Sequence, residues 1–304
     1  MDALVGFIGL GRMGMPMVQS LARAGHRLAV FDTSPALCRA AGALPGVQAL
    51  SSAADVAART QVLFSCLPNN DAVHAAYLGQ HGVAQKARAG LLTCDCSTVA
   101  PQVAVELGQA LVPRGVSHLD TPMLGSQPQA VSGEIFFIVS GERADYERAR
   151  PYLGSMGKQS MFVGGPGTAN KIKLIHNALG AVNSVAVAES LAMCVRGGVD
   201  VRTFYDVVRS GGGMAYSTYF DRRVSRIADG DYSPTFTLEL MRKDVSMAAE
   251  LAESWGVAAP IMALTREEYD QGVDAGWGGE DFSAVSHVIE RRLGISLSQP
   301  PGDD

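Results

Sequence analysis

Lys173 and Asn177 stand four residues apart in the run Thr168-Ala169-Asn170-Lys171-Ile172-Lys173-Leu174-Ile175-His176-Asn177, a spacing that points both side chains the same way from a helix. A lysine amine partly desolvated beside a positive charge titrates nearer neutrality and can pass a proton in either direction. Oxidation of an alcohol needs such a group. As hydride leaves the carbon, the hydroxyl proton must go to a base, and the reverse reaction needs the same group as acid. An amide one turn along can orient the hydroxyl or the lysine. Read by spacing alone, the pair is equally a surface lysine with a polar neighbour. A second amine, Lys243, lies in Phe236-Thr237-Leu238-Glu239-Leu240-Met241-Arg242-Lys243-Asp244, although on its own Lys243-Asp244 reads as an ordinary solvated ion pair. The segment from Asp120 to Glu134 is rich in turn formers and can present several backbone N–H groups to a substrate carboxylate.

These groups need a scaffold, and residues 6 to 32, GFIGLGRMGMPMVQSLARAGHRLAVFD, describe one. An apolar strand ending at Ile8 runs into Gly9-Leu10-Gly11-Arg12-Met13-Gly14, followed by a helical stretch from Met13 to Ala24 and a second strand, Leu28 to Phe31. In this GxGxxG pattern the first glycine makes a tight turn, the second admits a pyrophosphate to the backbone, and the third lets helix and strand pack closely. The helix start then offers N–H groups and a partial positive charge to the phosphates. Asp32 ends the second strand, where an acid accepts hydrogen bonds from the hydroxyls of an adenosine ribose and repels a 2′-phosphate. With Thr33-Ser34-Pro35 following and no arginine until Arg39, NAD is expected over NADP.

Further strands are expected at Val62 to Cys66, Leu91 to Cys94, Val116 to Leu119, Glu134 to Ser140 and Ser160 to Val163, mostly alternating with helices, as in an open, mainly parallel sheet covered on both faces. Ligands bind beyond the carboxyl ends of such strands, which draws attention to the loops Leu67-Pro68-Asn69-Asn70 and Asp95-Cys96-Ser97-Thr98. After about residue 165 the pattern becomes helical: Thr168 to Arg196, Val201 to Ser210, Tyr216 to Asp229, Leu238 to Trp255, Ile261 to Gly272 and Asp281 to Leu293. The first of these is long enough to run between domains or into a partner subunit. The expected fold is an α/β N-terminal Rossmann-type doubly wound sheet plus an all-α C-terminal domain, joined by a long interdomain helix. The domains are 1–164 for the dinucleotide, 165–295 for substrate and dimerisation, and 296–304 as a flexible tail.

A length of 304 residues with 47% hydrophobic content supports two cores, and a net charge of −5 argues against a nucleic-acid partner. The N-terminus enters the first strand without a basic leader, and no apolar run is expected to reach the roughly 20 residues that span a bilayer. No membrane is therefore expected, and the setting is read as cytoplasmic. Five cysteines without zinc-type spacing read as buried thiols, and no metal is expected.

Taken in order, these segments resemble the β-hydroxyacid dehydrogenase family, over about residues 4 to 294. GFIGLGRMGMPM matches the family's cofactor signature, residues 120 to 141 resemble its DAPVSGG substrate segment, and the stretch from Val163 resembles its catalytic helix. Aligned from Val163-Gly164, Lys173 falls on the family's catalytic lysine and Asn177 on its amide partner. A count forward from Gly167 reaches Lys171 instead, which lacks an asparagine four residues on. The resemblance implies cofactor contacts from Gly9, Leu10, Gly11, Arg12, Met13, Gly14, Asp32, Leu67, Pro68, Thr98 and Lys243. It implies substrate contacts from Met123, Leu124, Gly125, Ser126, Lys173, Asn177 and Phe236, a C-terminal domain like that of 6-phosphogluconate dehydrogenase, and a homodimer or homotetramer through the helical domain. The implied activity is NAD-dependent interconversion of a small 3-hydroxy acid with its semialdehyde or keto acid. The chain departs from the family at Met123-Leu124-Gly125-Ser126, where the usual sequence is Val-Ser-Gly-Gly. Leucine there removes a hydroxyl and adds bulk, leaving the Gly125 and Ser126 amides for the substrate. Alternatives are reduction of another carbonyl or an imine, and a dinucleotide-binding module without turnover; the presence of Lys173 argues against both.

Overall fold

The computed structural model describes residues 4–298. The chain falls into two compact units that divide at Lys173/Leu174. The first contains β1 (Val5–Ile8), α1 (Gly14–Arg23), β2 (Leu28–Phe31), α2 (Pro35–Gly42), β3 (Val47–Ala49), α3 (Ala53–Ala57), β4 (Val62–Ser65), α4 (Asn70–Leu78), β5 (Leu92–Asp95), α5 (Pro101–Leu111), β6 (Ser117–Asp120), β7 (Met123–Leu124), α6 (Gln127–Ser132), β8 (Ile135–Ser140), α7 (Arg143–Met156) and β9 (Gly157–Gly164). The helices start where local chemistry allows. Pro35 and Pro101 occupy first turns, and Asn69 accepts the Ala72 N–H.

The sheet order is β3-β2-β1-β4-β5-β6-β8-β7, with β9 on the other edge of β8. Pairing is parallel from β3 through β6; β8 runs antiparallel to β6 and β7. Successive residues of the inner strands feed opposite faces: Phe7 and Phe64 pack with Met17, Leu21 and Leu153, whereas Ile8 and Leu63 pack with Val56, Tyr77 and Leu107. The doubly wound architecture is therefore as expected. Two short strands, β3 and β7, were not anticipated, and β9 begins at Gly157 rather than Ser160.

The second unit is helical. α8 (Thr168–Arg196) crosses the division between the units, followed by α9 (Val201–Gly211), α10 (Thr218–Asp229), α11 (Leu238–Ser254), α12 (Pro260–Asp274) and α13 (Ser286–Leu293). The helix expected from Asp281 is a short 3-10 turn, Phe282–Val285, before α13 begins at Ser286, because Asp281 caps the turn by accepting the Ser283 N–H. Buried Leu174, Ala178, Ala181, Ala188 and Leu191 line one side of α8. Contrary to the sequence expectation, α8 is long and apolar enough to cross a membrane by length and composition, a test that a core helix also passes. Leu297 is buried with its N–H donated to Glu290 at 2.6 Å. The tail beyond residue 298 lies outside the described residues.

Candidate active site

Gly9 leaves β1 at φ +91°, and a Cβ there would stand 2.3 Å from the Cys66 carbonyl oxygen; one on Gly14 would stand 1.9 Å from the Gly9 oxygen. The chain's own packing demands both glycines. At Gly11 nothing lies within 4 Å of the Cβ position, so the fold makes no such demand there. Open space at a helix start is what a pyrophosphate requires. Leu10 is buried and donates its N–H to Asp32 Oδ2 at 2.7 Å, while Oδ1 accepts the Ser34 N–H at 2.7 Å. Cys38 steadies the same acid, accepting the Asp32 N–H and donating to its carbonyl, both at 3.2 Å. Arg12 is exposed and Met13 half-buried on this turn.

The loops after β4 and β5 are latched together. Asp95 Oδ1 accepts the hydroxyls of Ser65 and Ser97 at 2.7 and 2.6 Å, and Ser97 Oγ accepts the Leu67 N–H at 2.8 Å. The Ser65 hydrogen goes to Asp95, so Tyr77, 2.8 Å away, donates to Ser65. Asn70 adds a second latch by accepting the Ala100 N–H at 3.1 Å. Leu67 and Thr98 are thereby fixed half-buried and Pro68 exposed at the strand ends. Burial pushes the Asp95 carboxyl up to about 6, against the three hydrogen bonds it accepts from Ser97 and Ser65; the Asp120 charge adds to the rise.

In the expected substrate segment, Met123 and Leu124 form β7 against Phe137 and Phe136. Gly125 has φ +123°. Ser126 starts α6, and Gln129 Oε1 accepts both its N–H at 2.9 Å and its hydroxyl at 2.8 Å. The expectation that the Ser126 amide is available to a carboxylate is therefore corrected: this capping box occupies it.

Lys173 is only 9% exposed, and Asn177 6%. In the helical unit the Asn177 amide donates to Asp244 Oδ2 at 2.6 Å, and Asp244 Oδ1 pairs with the Lys243 amine at 3.1 Å. Asp244 is 1% exposed, so Lys243-Asp244 is no solvated pair. It anchors the asparagine. Phe236 packs edge-on against Phe282, ring centroids 6.2 Å apart. A surface depression of about 510 Å³, lined by residues including Gln271, Asp274, Trp277 and Arg291, contains none of the expected site residues. Among the described residues no cluster of His, Cys, Asp or Glu could hold a metal.

Residues 4–165 match the NAD binding domain of 6-phosphogluconate dehydrogenase, and residues 167–289 match the family described as NAD-binding of NADP-dependent 3-hydroxyisobutyrate dehydrogenase. The chain is 30% identical to 2-(hydroxymethyl)glutarate dehydrogenase of Eubacterium barkeri over 97% of each chain. It is 33% identical to 3-hydroxyisobutyrate dehydrogenase of Pseudomonas aeruginosa, over 93% of this chain and 97% of that one. The chain belongs to the β-hydroxyacid dehydrogenase family. A crystal structure of 3-hydroxyisobutyrate dehydrogenase from Salmonella typhimurium superposes with a TM-score of 0.85 at 30% identity, covering 94% of this chain and all of that one. As a β-hydroxyacid dehydrogenase, the protein is an NAD(P)-dependent oxidoreductase of small hydroxy acids.

Sequence reasoning did not single out Asp95, Asp120, Ser140 or Asn170, and read Asp244 only as the solvated partner of Lys243. The two strand-end acids were visible as the first residues of their loops. Asn170 is fully buried, with Oδ1 accepting the Val99 N–H at 3.2 Å and its amide nitrogen without a partner. Nothing local in the sequence marks it.

Proposed function

We propose that this dehydrogenase interconverts a small 3-hydroxy acid with its semialdehyde or keto acid, prefers NAD, and uses Lys173 as general acid/base with Asn177 as its partner. The observation that carries this reading is the burial of Lys173 one helical turn before a buried asparagine that is itself held by a buried aspartate. Lysine is almost never this buried unless its charge is paired. In the oxidative direction the Lys173 amine takes the substrate hydroxyl proton, and in the reductive direction it returns one. Asn177, fixed by Asp244, orients the hydroxyl. Bound at Gly11 and the start of α1, the nicotinamide dinucleotide supplies a hydride acceptor or donor.

NAD is preferred because Asp32 is pre-set. Each carboxylate oxygen already holds one backbone N–H and keeps a lone pair for a ribose hydroxyl, while its charge repels a 2′-phosphate. Leu67, Pro68, Thr98 and Lys243 complete the cofactor contacts. Met123, Leu124, Gly125 and Phe236 flank the substrate. Exposed Ile175, Leu179, Ile261 and Leu264 on the helical unit support a homodimer or homotetramer. Free thiols at all five cysteines fit a cytoplasmic setting.

The test is a screen of 3-hydroxyisobutyrate, 2-(hydroxymethyl)glutarate and other short 3-hydroxy acids and semialdehydes by NADH absorbance, repeated with Lys173→Ala. The variant is expected to lose a factor of about 10² to 10⁴ in turnover while binding NADH nearly as before. Turnover within a few-fold of the parent would overturn the acid/base role, and tighter binding of NADP than NAD would overturn the role of Asp32.

A further inference from the structure

The helix that carries Lys173 is bolted to the sheet at its first turn. Asp120, at the end of β6 and 1% exposed, accepts the Ser140 hydroxyl at 2.5 Å and the Gly167 N–H at 3.1 Å on Oδ1, and the Asn170 N–H at 3.2 Å on Oδ2. Ser140, at the end of β8, accepts the Ala169 N–H at 2.9 Å. Amides at a helix start have no intrahelical partner, and here those of Gly167, Ala169 and Asn170 all end on one Asp–Ser pair. Asn170 extends the joint by accepting the Val99 N–H in the loop after β5.

An ordinary exposed Ser or Asp would satisfy a helix start without the desolvation that a buried carboxylate incurs. Asp120 also stands in register with Asp95 on the neighbouring strand, like charge beside like charge. What the buried arrangement adds is geometry. A carboxylate accepting on both oxygens, from donors spaced around one helical turn, fixes both the rotation and the axial position of the first turn of α8 against β6. Lys173 follows Asn170 by three residues, so its position along the helix is inherited from this joint.

We propose that Asp120 is the positioning residue for Lys173: through the first turn of α8 it sets where the amine stands relative to the ends of β4, β5 and β6. The proposal rests on the acid/base reading of Lys173, but it can be tested without substrate. Asp120→Asn keeps the shape and one acceptor oxygen, yet turns an N–H₂ toward either Asn170 or the Ser140–Gly167 pair, so one set of donors loses its acceptor.

The experiment uses NAD⁺-saturated protein and two readouts: hydrogen exchange at the amides of residues 167 to 173, and acetylation of Lys173 by acetic anhydride, normalised to exposed Lys158. In Asp120→Asn, exchange at Gly167 or Asn170 is expected to rise about tenfold, as for loss of a charge-assisted hydrogen bond. Lys173 acetylation is expected to rise at least about threefold as the turn opens. Ser140→Ala, a milder change that carries the test if Asp120→Asn does not fold, should raise exchange at Ala169 and move Lys173 acetylation in the same direction. Unchanged exchange in the folded variants would overturn the joint. Raised exchange with unchanged Lys173 acetylation would reduce Asp120 to a plain helix cap and overturn the positioning role. The acid/base reading fails separately, through surviving turnover in Lys173→Ala.

Discussion

In the sheet unit the buried carboxylates Asp95 and Asp120 are held by serine hydroxyls and backbone amides, and burial pushes both up from the usual carboxylate range. In the helical unit Asp281 is equally buried but faces Arg223 at 2.9 Å, and although burial works against it, that guanidinium and the donors from Thr235 and Ser283 bring it below the usual range. The histidines divide the same way. Burial pushes His118 in the sheet unit down to about 4, whereas His287 in the helical unit is raised, because Glu290 and Glu280 outweigh its burial. A compensated charge staples elements together. A buried carboxylate raised by desolvation destabilises unless its donors are well placed, and both such acids sit at strand ends, Asp95 beside the loop after β5 and Asp120 beside the start of α8. The contrast separates groups kept for stability from groups kept for geometry.

The largest effect is expected from stripping the compensation. Arg223→Ala removes the nearer of the two guanidiniums that face Asp281 and leaves only Arg226, at 3.7 Å, and calorimetry should show a loss of about 1.5–3 kcal/mol, with faster exchange confined to the helical unit. A loss under about 1 kcal/mol would erase the distinction drawn here.

The histidines should then respond to pH with opposite signs. His118 stays neutral in the folded protein while the unfolded imidazole protonates near 6.5, so it withdraws stability as pH falls from about 6.5 toward 4. His287 contributes stability that is fully present below the unfolded value and is lost as pH rises through its raised folded value. Between about pH 7 and pH 5, His118→Gln should therefore lose less stability than the parent, its slope shifting by on the order of 1 kcal/mol per pH unit, and His287→Gln should lose more. Thermal melts across that range check both, and slopes moving in one direction would contradict the contrast.

The smallest effect belongs to Asp95→Asn. All three donors to Asp95 from Ser65 and Ser97 meet the same oxygen, Oδ1, so an asparagine can keep them. Stability near neutrality should change by no more than about 1 kcal/mol. The acid's own pH dependence should vanish: with Asp95 raised to about 6 in the folded protein, the unfolded carboxyl ionises first, and stability falls as pH rises from about 4 to 6. Denaturant titrations at those two pH values test it.

The glycine turn was legible because Gly9 and Gly14 are dictated by contacts within a few elements of local chain, and Asp32 closes the same unit. Lys173 and Asn177 were legible as a spacing. Burial was not. Asp244 meets Asn177 across 67 residues of sequence, so a pair that reads as solvated becomes an anchor only after folding. The roles of Asp95 and Asp120 depend on donors from other strands and from the start of α8, which no window of residues contains. Strand β7 was invisible for a related reason: two residues carry no periodicity, and pairing with Phe136 and Phe137 alone defines it. The apolar length of α8 was underestimated because Asn183, Ser184 and Glu189 interrupt the run without lowering its mean hydropathy enough.

The capping box at Ser126 acts by withdrawal. The turn has directed one of its amides inward, onto its own Gln129, and Leu124 has no hydroxyl to replace it. Under the substrate role proposed for this segment, selectivity would follow from which hydrogen bonds the chain has already made with itself.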